Sequence, residues 1–479
     1  MKAISRILLL ASLAVASAFT AAALDLPVKK IKGQQYYYYK VQKNESIYGL
    51  SKRFGLTREE IVRHNPSAAD GLKKNMMLYF PYEEYAEHVP VDPDAEVVEV
   101  AEVEPELPAT TPRITVMMPF NLGSSASESS SKMALEFYKG LLIAADSLAS
   151  RGGQHIEICV YDTRNDPAAV RTAMATDTIL TRSAVIIAPD DAATLNAIGE
   201  IVRGSSTYVL NVLNFRDTTY LTNPNMMLAN IPQQLMYETA VKGLRMEMPD
   251  YTPVIIRSAT GRNDKESFTA YLTESYRADG IEPIEIEYNT NLLSADLDVL
   301  PTDAGQKYVV IPSSGSLAEF NKFAHVLKSM RDRMAASEFE DNVAEPARLA
   351  VFGYPDWTAF RGDAQDLLHK LEATIFSRFY DDFNGFGARN IEADFKYWYG
   401  SAMTESIPST GIMGFDAGTY LIKNLRANDG QFSPTNPESY SGIQSTFRFE
   451  RVSDEGGYVN TALYLIHYLP TGRMSARVL

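Results

Sequence analysis

From Arg113 onward the sequence alternates apolar runs with segments of helical periodicity, and this alternation constrains the fold more than any other feature. The first series contains runs predicted as strands at residues 114–120, 156–161, 183–188 and 208–213. The alternation then restarts with runs at residues 253–257, 307–312 and 348–353. Continuous apolar runs are typical of parallel strands whose two faces are covered by helices. Two such series predict two α/β lobes with a cleft between them, where ligands meet the carboxyl ends of the strands.

Short segments at the strand ends of the first series and near the end of the chain carry a family resemblance. They are the strand ends Met118-Pro119-Phe120, Tyr161-Asp162-Thr163 and Ala188-Pro189-Asp190, the helical residues 413–421, and residues 446–449 with 464–468. Together they resemble the type I periplasmic-binding family, of the branched-chain amino-acid receptor type. The resemblance implies one domain over residues 113–479 that closes with a hairpin of 446–449 and 464–468. It implies a first lobe at about 113–232 and 375–430, and a second at about 233–374 and 431–479.

The same resemblance implies a ligand site in the cleft. Receptors of this type present small hydroxyl residues after the third strand, where this chain has Asp190, Asp191 and Thr194. Two carboxylates would repel a ligand carboxylate, which disfavours an amino-acid ligand; alternatively, the aspartates cap the following helix. The candidate contacts of a small-molecule ligand or an envelope protein partner are Asn121, Thr163, Asp190, Asp191, Thr194, Asn214, Ser313, Ser314 and Tyr354.

A second, smaller pattern precedes this region. Residues 36–41 are predicted as a strand and residues 47–54 as a helix. Thr57 and Glu60 form a capping-box pattern that begins a second helix, and residues 76–80 are predicted as another strand. Strand, helix, helix and strand in this order indicate a compact α+β unit.

This order resembles a LysM module, the small βααβ domain that binds glycans containing N-acetylglucosamine, above all peptidoglycan. The resemblance covers residues 36–82 and implies peptidoglycan as a partner. It assigns glycan contacts to two loops, at Asn44, Glu45, Ser46, Ile47, Pro66, Gly71, Leu72 and Lys73. The predicted fold is therefore multidomain, with an α+β LysM module followed by a two-lobed α/β periplasmic-binding-like domain with parallel sheets.

The two remaining segments indicate export and separation of the domains. Lys2 and Arg6 precede an apolar run, which predicts a secretory signal peptide over residues 1–23 and a location in the bacterial periplasm or at the cell wall. No transmembrane segment is expected in the mature chain. Residues 83–112 contain ten acidic residues and no Lys or Arg, and carry most of the formal net charge of −15. They are predicted to form an extended linker.

Motifs for catalysis are missing from the sequence. The six histidines show no metal-ligand spacing, and there is no nucleophile elbow and no phosphate-binding glycine loop. We therefore expect no enzymatic activity, no metal, no cofactor and no nucleic-acid partner. The leading prediction is an exported envelope protein that is tethered to peptidoglycan and acts as a ligand sensor or protein-interaction module. The alternative is a solute-binding component of an ABC-type transporter, and the third possibility is a cell-wall enzyme or its regulator.

Overall fold

The architecture is taken from a computed structural model of the chain. It describes residues 26–31, 34–43, 45–54, 56–69, 71–85, 111–123, 129–149, 153–303, 305–340, 347–380, 385–435 and 440–479. The predicted signal peptide lies outside these residues, as does most of the predicted linker. The chain forms two compact units. Unit 1 contains Met1–Arg164, Arg182–Val185 and Phe383–Phe432, and unit 2 contains Asn165–Thr181, Ile186–Asp382 and Ser433–Leu479.

The N-terminal part of unit 1 is a small three-stranded module. Its elements are β1 (Val28–Ile31), β2 (Gln34–Lys40), α1 (Ile47–Phe54), α2 (Arg58–His64), a 3₁₀ turn (Pro66–Ala68), β3 (Met77–Pro81) and α3 (Tyr82–Tyr85). The strands pair antiparallel in the order β1-β2-β3. Alternate residues of β2 and β3 point inward, because side chains alternate across a strand, so Tyr37, Leu78 and Phe80 join the core. The predicted capping box at Thr57 and Glu60 is confirmed.

The rest of the chain alternates strands and helices as predicted. The elements are β4 (Arg113–Met118), α4 (Ser129–Ala149), β5 (Glu157–Asp162), α5 (Pro167–Thr176), α6 (Thr178–Thr181), β6 (Val185–Ala188), α7 (Ala192–Val202), β7 (Tyr208–Asn211), β8 (Met226–Leu228), α8 (Gln233–Glu247), β9 (Thr252–Ser258), α9 (Glu266–Ala278), β10 (Ile284–Tyr288), β11 (Lys307–Pro312), α10 (Leu317–Glu340), β12 (Arg348–Gly353), α11 (Asp363–Lys370), β13 (Thr374–Ser377), α12 (Phe386–Tyr399), α13 (Thr410–Ala427), β14 (Tyr440–Ser441), β15 (Thr446–Phe447), β16 (Phe449–Arg451), β17 (Tyr458–Asn460), β18 (Tyr464–Tyr468) and β19 (Met474–Val478).

Two seven-stranded sheets organise these strands. One has the order β10-β9-β11-β12-β13-β18-β19 and the other the order β16-β17-β8-β7-β6-β4-β5. In the first sheet, β10 through β13 run parallel, whereas β18 and β19 pair antiparallel. The sheets are therefore mixed and mostly parallel, and the expectation of purely parallel sheets is corrected at the edges. The antiparallel edge arises because β18 and β19 form a hairpin, which needs only a short turn.

The predicted closing hairpin is wrong. Residues 446–449 and 464–468 were expected to pair, but β16 pairs with β17 and β18 pairs with β13 and β19. The two segments therefore belong to different sheets. They meet through side chains, since the hydroxyls of Thr446 and Tyr464 are 2.7 Å apart.

Unit 1 also contains a helix pair that permits very close packing. A Cβ added to Gly140 in α4 would lie 1.9 Å from the carbonyl oxygen of Gly411 in α13, and one added to Gly414 would lie 1.9 Å from that of Phe137. Only glycine allows the two helices to approach to this distance. The contact holds α13 closely against α4.

Candidate ligand-binding site

The loops that follow β9, β11 and β12 bring polar side chains to one edge of the first sheet. These three strands are neighbours and run parallel, so their carboxyl ends share that edge. We call the group they form the strand-end cluster; it consists of Asp264, Lys265, Ser313, Ser314, Tyr354, Asp356 and Trp357. Sheets of this kind bind ligands at the carboxyl ends of their strands.

A short hydrogen bond joins the loops after β9 and β11. The Ser314 hydroxyl donates to Oδ1 of Asp264 at 2.6 Å, and the Gly315 amide lies 3.3 Å from the same oxygen. Burial raises the pKa of Asp264, but the Ser314 hydrogen bond and the Lys265 charge outweigh it, so the net pKa is lowered. Asp264 is therefore an anion in this loop.

Lys265 connects the third loop to the cluster. Its ammonium group is 2.7 Å from the Asp356 carboxylate and 3.5 Å from that of Asp264. It also lies 5.5 Å from the centroid of the Tyr354 ring, within range of a cation–π interaction. A Cβ at Gly315 would lie 2.5 Å from Cε of Lys265, so glycine leaves the space in which this side chain lies.

Two buried polar atoms of the cluster have no hydrogen-bond partner among the described residues. They are the Ser313 hydroxyl and Nε1 of Trp357, whose residues are 1% and 0% exposed. Tyr354 beside them is buried too, and its hydroxyl donates to the Pro312 carbonyl at 2.6 Å. Burial raises the pKa of Tyr354 well above its usual value, so this phenol stays neutral. An unsatisfied buried hydroxyl is uncommon in folded proteins and marks this edge as unusual.

Glu319 supports the cluster from α10. Glu319 is 4% exposed. Its carboxylate accepts a hydrogen bond from the Lys322 ammonium at 2.8 Å and lies 3.3 Å from the Tyr288 hydroxyl. The Arg262 amide donates to it at 3.2 Å. Burial raises the pKa of Glu319, but the bonds from Lys322 and Arg262 outweigh it and the net pKa is lowered. These contacts fix the loop that presents Asp264 and Lys265.

The residues predicted after the third strand have structural contacts. Asp191 is the N-cap of α7, and its Oδ2 accepts from the amide and the hydroxyl of Thr194 at 2.8 and 2.7 Å. Thr194 is fully buried. The Asp190 carbonyl accepts from the Asn214 amide side chain at 3.0 Å. The capping alternative for Asp191 is therefore the one observed, and the Thr194 hydroxyl is used within the fold.

Asn121 and Thr163, the remaining predicted cleft contacts, lie in unit 1. The Asn121 amide donates to Asp162 at 3.0 Å, and the Asn121 side chain donates to Ser131 at 2.6 Å. Thr163 is 1% exposed, and its amide donates to the Met118 carbonyl at 3.0 Å. Of the predicted cleft residues, Ser313, Ser314 and Tyr354 are the ones that the strand-end cluster contains.

The predicted glycan positions likewise include residues with structural contacts and residues that lie in loops. Ile47 is a core residue of the small module, and Leu72 packs against that core. Glu45 accepts from the Tyr39 hydroxyl at 2.6 Å, and the Ser46 hydroxyl accepts from the Gly49 amide at 3.1 Å. Pro66 begins the 3₁₀ turn. Gly71 has φ of +101° and lies in the loop before β3 with Lys73, whereas Asn44 is outside the described residues.

Sequence reasoning missed Asp264, Lys265, Asp356 and Glu319. A signal was present, because the polar triplet Asn263-Asp264-Lys265 comes soon after a predicted strand. A carboxylate just before a helix ordinarily serves as a cap, so residue type and position alone did not mark Asp264 as a ligand contact. Surface cavities of about 260, 320 and 350 Å³ occur elsewhere in unit 2, and their linings contain no residue of the cluster. We regard the cluster as the stronger candidate because its polar groups converge.

Among the described residues, no group of His, Cys, Asp and Glu could hold a metal ion. No described helix is both long enough and apolar enough to cross a membrane.

Comparisons with known proteins identify the fold. No family model matches the sequence, and no curated protein matches it. A solved protein attributed to a branched-chain amino acid ABC transporter of Rhodospirillum rubrum is similar in structure, with a TM-score of 0.51 and 13% sequence identity over 77% of this chain and 100% of that chain. A branched-chain amino acid ABC transporter periplasmic ligand-binding protein from Burkholderia xenovorans has a TM-score of 0.42 and 12% identity over 77% of this chain and 94% of its own.

These comparisons correct the leading functional prediction. The structure from Rhodospirillum rubrum is described as a branched-chain amino acid ABC transporter protein, so the prediction of a wall-tethered sensor or interaction module is wrong, and the alternative of a solute-binding component is favoured. Over about 77% of its length, the chain has the type I periplasmic-binding-protein fold.

Proposed function

We propose that the chain is a solute-binding component of an ABC-type transporter and that it holds a small polar solute at the strand-end cluster. The observation that carries this proposal is the buried Ser313 hydroxyl without a partner at the carboxyl ends of three parallel strands. A buried donor that bonds to a ligand avoids the free-energy cost of remaining unsatisfied. The fold supports the same proposal, because a solved structure with a similar fold is described as a branched-chain amino acid ABC transporter protein.

Each residue of the cluster has a distinct proposed role. Ser313 donates to the solute, and Ser314 orients Asp264 through their 2.6 Å hydrogen bond. Lys265 offers positive charge that is balanced by Asp264 and Asp356. Because the cluster holds one positive and two negative side chains, it suits a neutral or zwitterionic solute better than an anionic one. The three predicted contacts Ser313, Ser314 and Tyr354 are kept in the proposal, with Tyr354 as an apolar wall.

The proposal is tested by a thermal-shift screen of the full chain against amino acids, sugars and small carboxylates. A ligand that binds only the folded state stabilises it by about 2.7 kcal/mol at one hundred times its dissociation constant. We expect a saturable rise of the melting temperature with at least one class. The shift should fall strongly in Ser313→Ala and Lys265→Ala.

The matched control is Ser183→Ala, which also removes a buried serine hydroxyl but lies in unit 1. It should leave the ligand-induced shift unchanged. Absence of a saturable shift across the panel, or an equal loss of the shift in Ser183→Ala and Ser313→Ala, would contradict a solute site at this edge.

We also propose that residues 36–82 are a LysM-type module and that residues 83–112 link it to the domain at 113–479. The observed order β2-α1-α2-β3 and the capping box of α2 support the first point. Export to the periplasm fits both the predicted signal peptide and the proposed transport role. Detection of the mature chain in a periplasmic extract, with residues 1–23 absent by mass spectrometry, would support this location, and an intact N-terminus would oppose it.

A further inference from the structure

Within unit 1 the small module has a contact surface that its own core does not require. We propose that this surface is a docking site for the last turn of α12, and that docking covers Gly71, one of the positions that the LysM resemblance assigns to glycan. The docking surface consists of Tyr48, Arg58, Glu59 and Gly71. The last turn of α12 consists of Tyr397, Trp398, Tyr399 and its C-cap Gly400.

Tyr48 is the centre of the contact. It is 5% exposed but is not among the nine buried residues of the module's core. Its ring centroid is 4.9 Å from that of Trp398 at 88°, and 6.2 Å from that of Tyr399. Edge-to-face pairs of this kind are favourable beyond simple burial. Burial, with a smaller effect of Asp146, raises the pKa of Tyr48 to about 12. The partners that bury Tyr48 therefore include residues from outside the module.

Helix α2 adds two polar contacts to the same turn. The Arg58 guanidinium lies 4.2 Å from the Tyr397 ring centroid, and Nη2 of Arg58 donates to the Ala69 carbonyl at 3.0 Å. The Tyr397 hydroxyl donates to the Glu59 carboxylate. That hydrogen bond is the largest influence lowering the pKa of Glu59, whereas burial and the same bond raise the pKa of Tyr397 to about 12. Both groups therefore keep the protonation states that the bond needs at neutral pH.

Backbone contact completes the docking surface. A Cβ added to Gly71 would lie 3.3 Å from Cα of Gly400 and 3.4 Å from its carbonyl oxygen. Gly400 ends α12 in the left-handed conformation, with φ of 69°. Gly71, one of the positions that the LysM resemblance assigns to glycan, thus meets Gly400 of α12. A glycan in contact with Gly71 would have to displace that turn.

The last turn of α12 is itself held in place by α4. The Tyr399 hydroxyl donates to the Lys139 carbonyl at 3.1 Å, and the Lys139 ammonium lies 4.9 Å from the Tyr399 ring centroid. Phe395 is 2% exposed in the preceding turn. The module therefore docks on a preorganised surface.

The two tryptophans of the chain allow a direct test in the full-length protein. Trp357 is fully buried in unit 2, whereas Trp398 lies at the docking surface. Acrylamide quenching of tryptophan fluorescence should therefore report mainly on Trp398. In Tyr48→Ala and Arg58→Ala we expect the quenching constant to rise by about twofold, because local opening exposes Trp398 to solvent.

Matched controls separate docking from damage to the module. Arg53→Ala removes a cation–π arginine 5.4 Å from the Tyr39 ring, within the module, and Tyr36→Ala removes an aromatic pair with Tyr79. Both should leave the quenching constant at the wild-type value. Tyr48→Phe keeps the ring and should do the same, which guards against a Tyr48→Ala chain that merely fails to fold.

Two results would overturn the proposal. One is an unchanged quenching constant in both Tyr48→Ala and Arg58→Ala when circular dichroism shows both to be folded. The other is binding of a chitin tetrasaccharide to the wild-type chain without any change in the quenching of Trp398, because that would show that glycan binding does not displace the last turn of α12. Failure of the solute screen has no bearing on either result.

Discussion

Two loops of unit 2 follow the same pattern of strand, polar loop and helix, yet they use their hydroxyls differently. After β6, Asp191 caps α7 and holds both the amide and the hydroxyl of Thr194. After β11, the Ser316 hydroxyl accepts from the Glu319 amide at 3.3 Å at the start of α10. Ser313 and Ser314 are thereby released from capping, and Ser314 bonds to Asp264 instead.

The comparison shows that residue type after a strand does not by itself indicate a ligand contact. In the first loop a carboxylate and a hydroxyl satisfy each other locally, and the result is a well-capped helix. In the second loop the cap is supplied by a third residue, so that one buried hydroxyl is left without a partner among the described residues. The two loops therefore differ in which residue caps the following helix, and this decides whether a buried hydroxyl is left without a partner among the described residues.

The largest stability effect is expected from Ser314→Ala. Hydrogen bonds to charged groups contribute about 1.5–3 kcal/mol, and Asp264 is largely buried. The free energy of unfolding, measured by urea denaturation, should fall by about 2 kcal/mol. Ser329→Ala, at an exposed serine of α10, should change it by less than about 0.5 kcal/mol. Equal effects of the two substitutions would show that the hydrogen bond from Ser314 to Asp264 does not stabilise the loop after β11.

A smaller loss is expected from Asp191→Ala, because the lost group is a helix cap. Removal of an N-cap side chain costs about 1 kcal/mol, and the Thr194 hydroxyl also loses its acceptor. Asp190→Ala is the neighbouring control and should change the free energy of unfolding by less than about 0.5 kcal/mol. A ligand-induced thermal shift that disappears in Asp191→Ala but survives in Ser313→Ala would place the solute at the first loop instead.

Ser314→Ala should also change how the free energy of unfolding depends on pH. The change should be smaller than the total stability loss of this substitution, because the Ser314 hydrogen bond is one of several influences that lower the Asp264 pKa. A carboxylate with a lowered folded-state pKa contributes stability above its unfolded value of 3.8, and this contribution is lost as the pH falls through the folded-state pKa. Urea denaturation between about pH 2 and 7 should therefore show a weaker acid loss in Ser314→Ala. Parallel curves would show that Ser314 does not stabilise the Asp264 anion.

The smallest stability effect is expected from Ser313→Ala. Its hydroxyl has no partner among the described residues, so its removal should change the free energy of unfolding by less than about 0.5 kcal/mol. The same substitution should weaken solute binding by about tenfold, which calorimetry with the screened ligand would measure. A large loss of stability with unchanged affinity would show that Ser313 stabilises the fold and does not contact the solute.

Much of the fold could be predicted because the signals were local. The bounds of β11 and β12 were predicted to the residue from apolar runs, and the capping box of α2 was recognised from Thr57 and Glu60. The pairing of residues 446–449 with 464–468 was wrong, since strand pairing depends on the whole sheet and not on the two segments. Ser313 and Ser314 were named as candidates, whereas Asp264, Lys265 and Asp356 were not.

The sequence by itself determined the alternation of strands and helices, the positions of the main caps and the location of the polar loops, because periodicity and capping act over a few residues. Only the tertiary structure decided that Asp264, Ser314 and Asp356 meet, since the parallel order β9-β11-β12 brings together loops that are far apart in the chain. It likewise decided that Tyr48 packs against Trp398. Side chains that are distant in sequence become partners only when backbone pairing and core packing place them within contact distance.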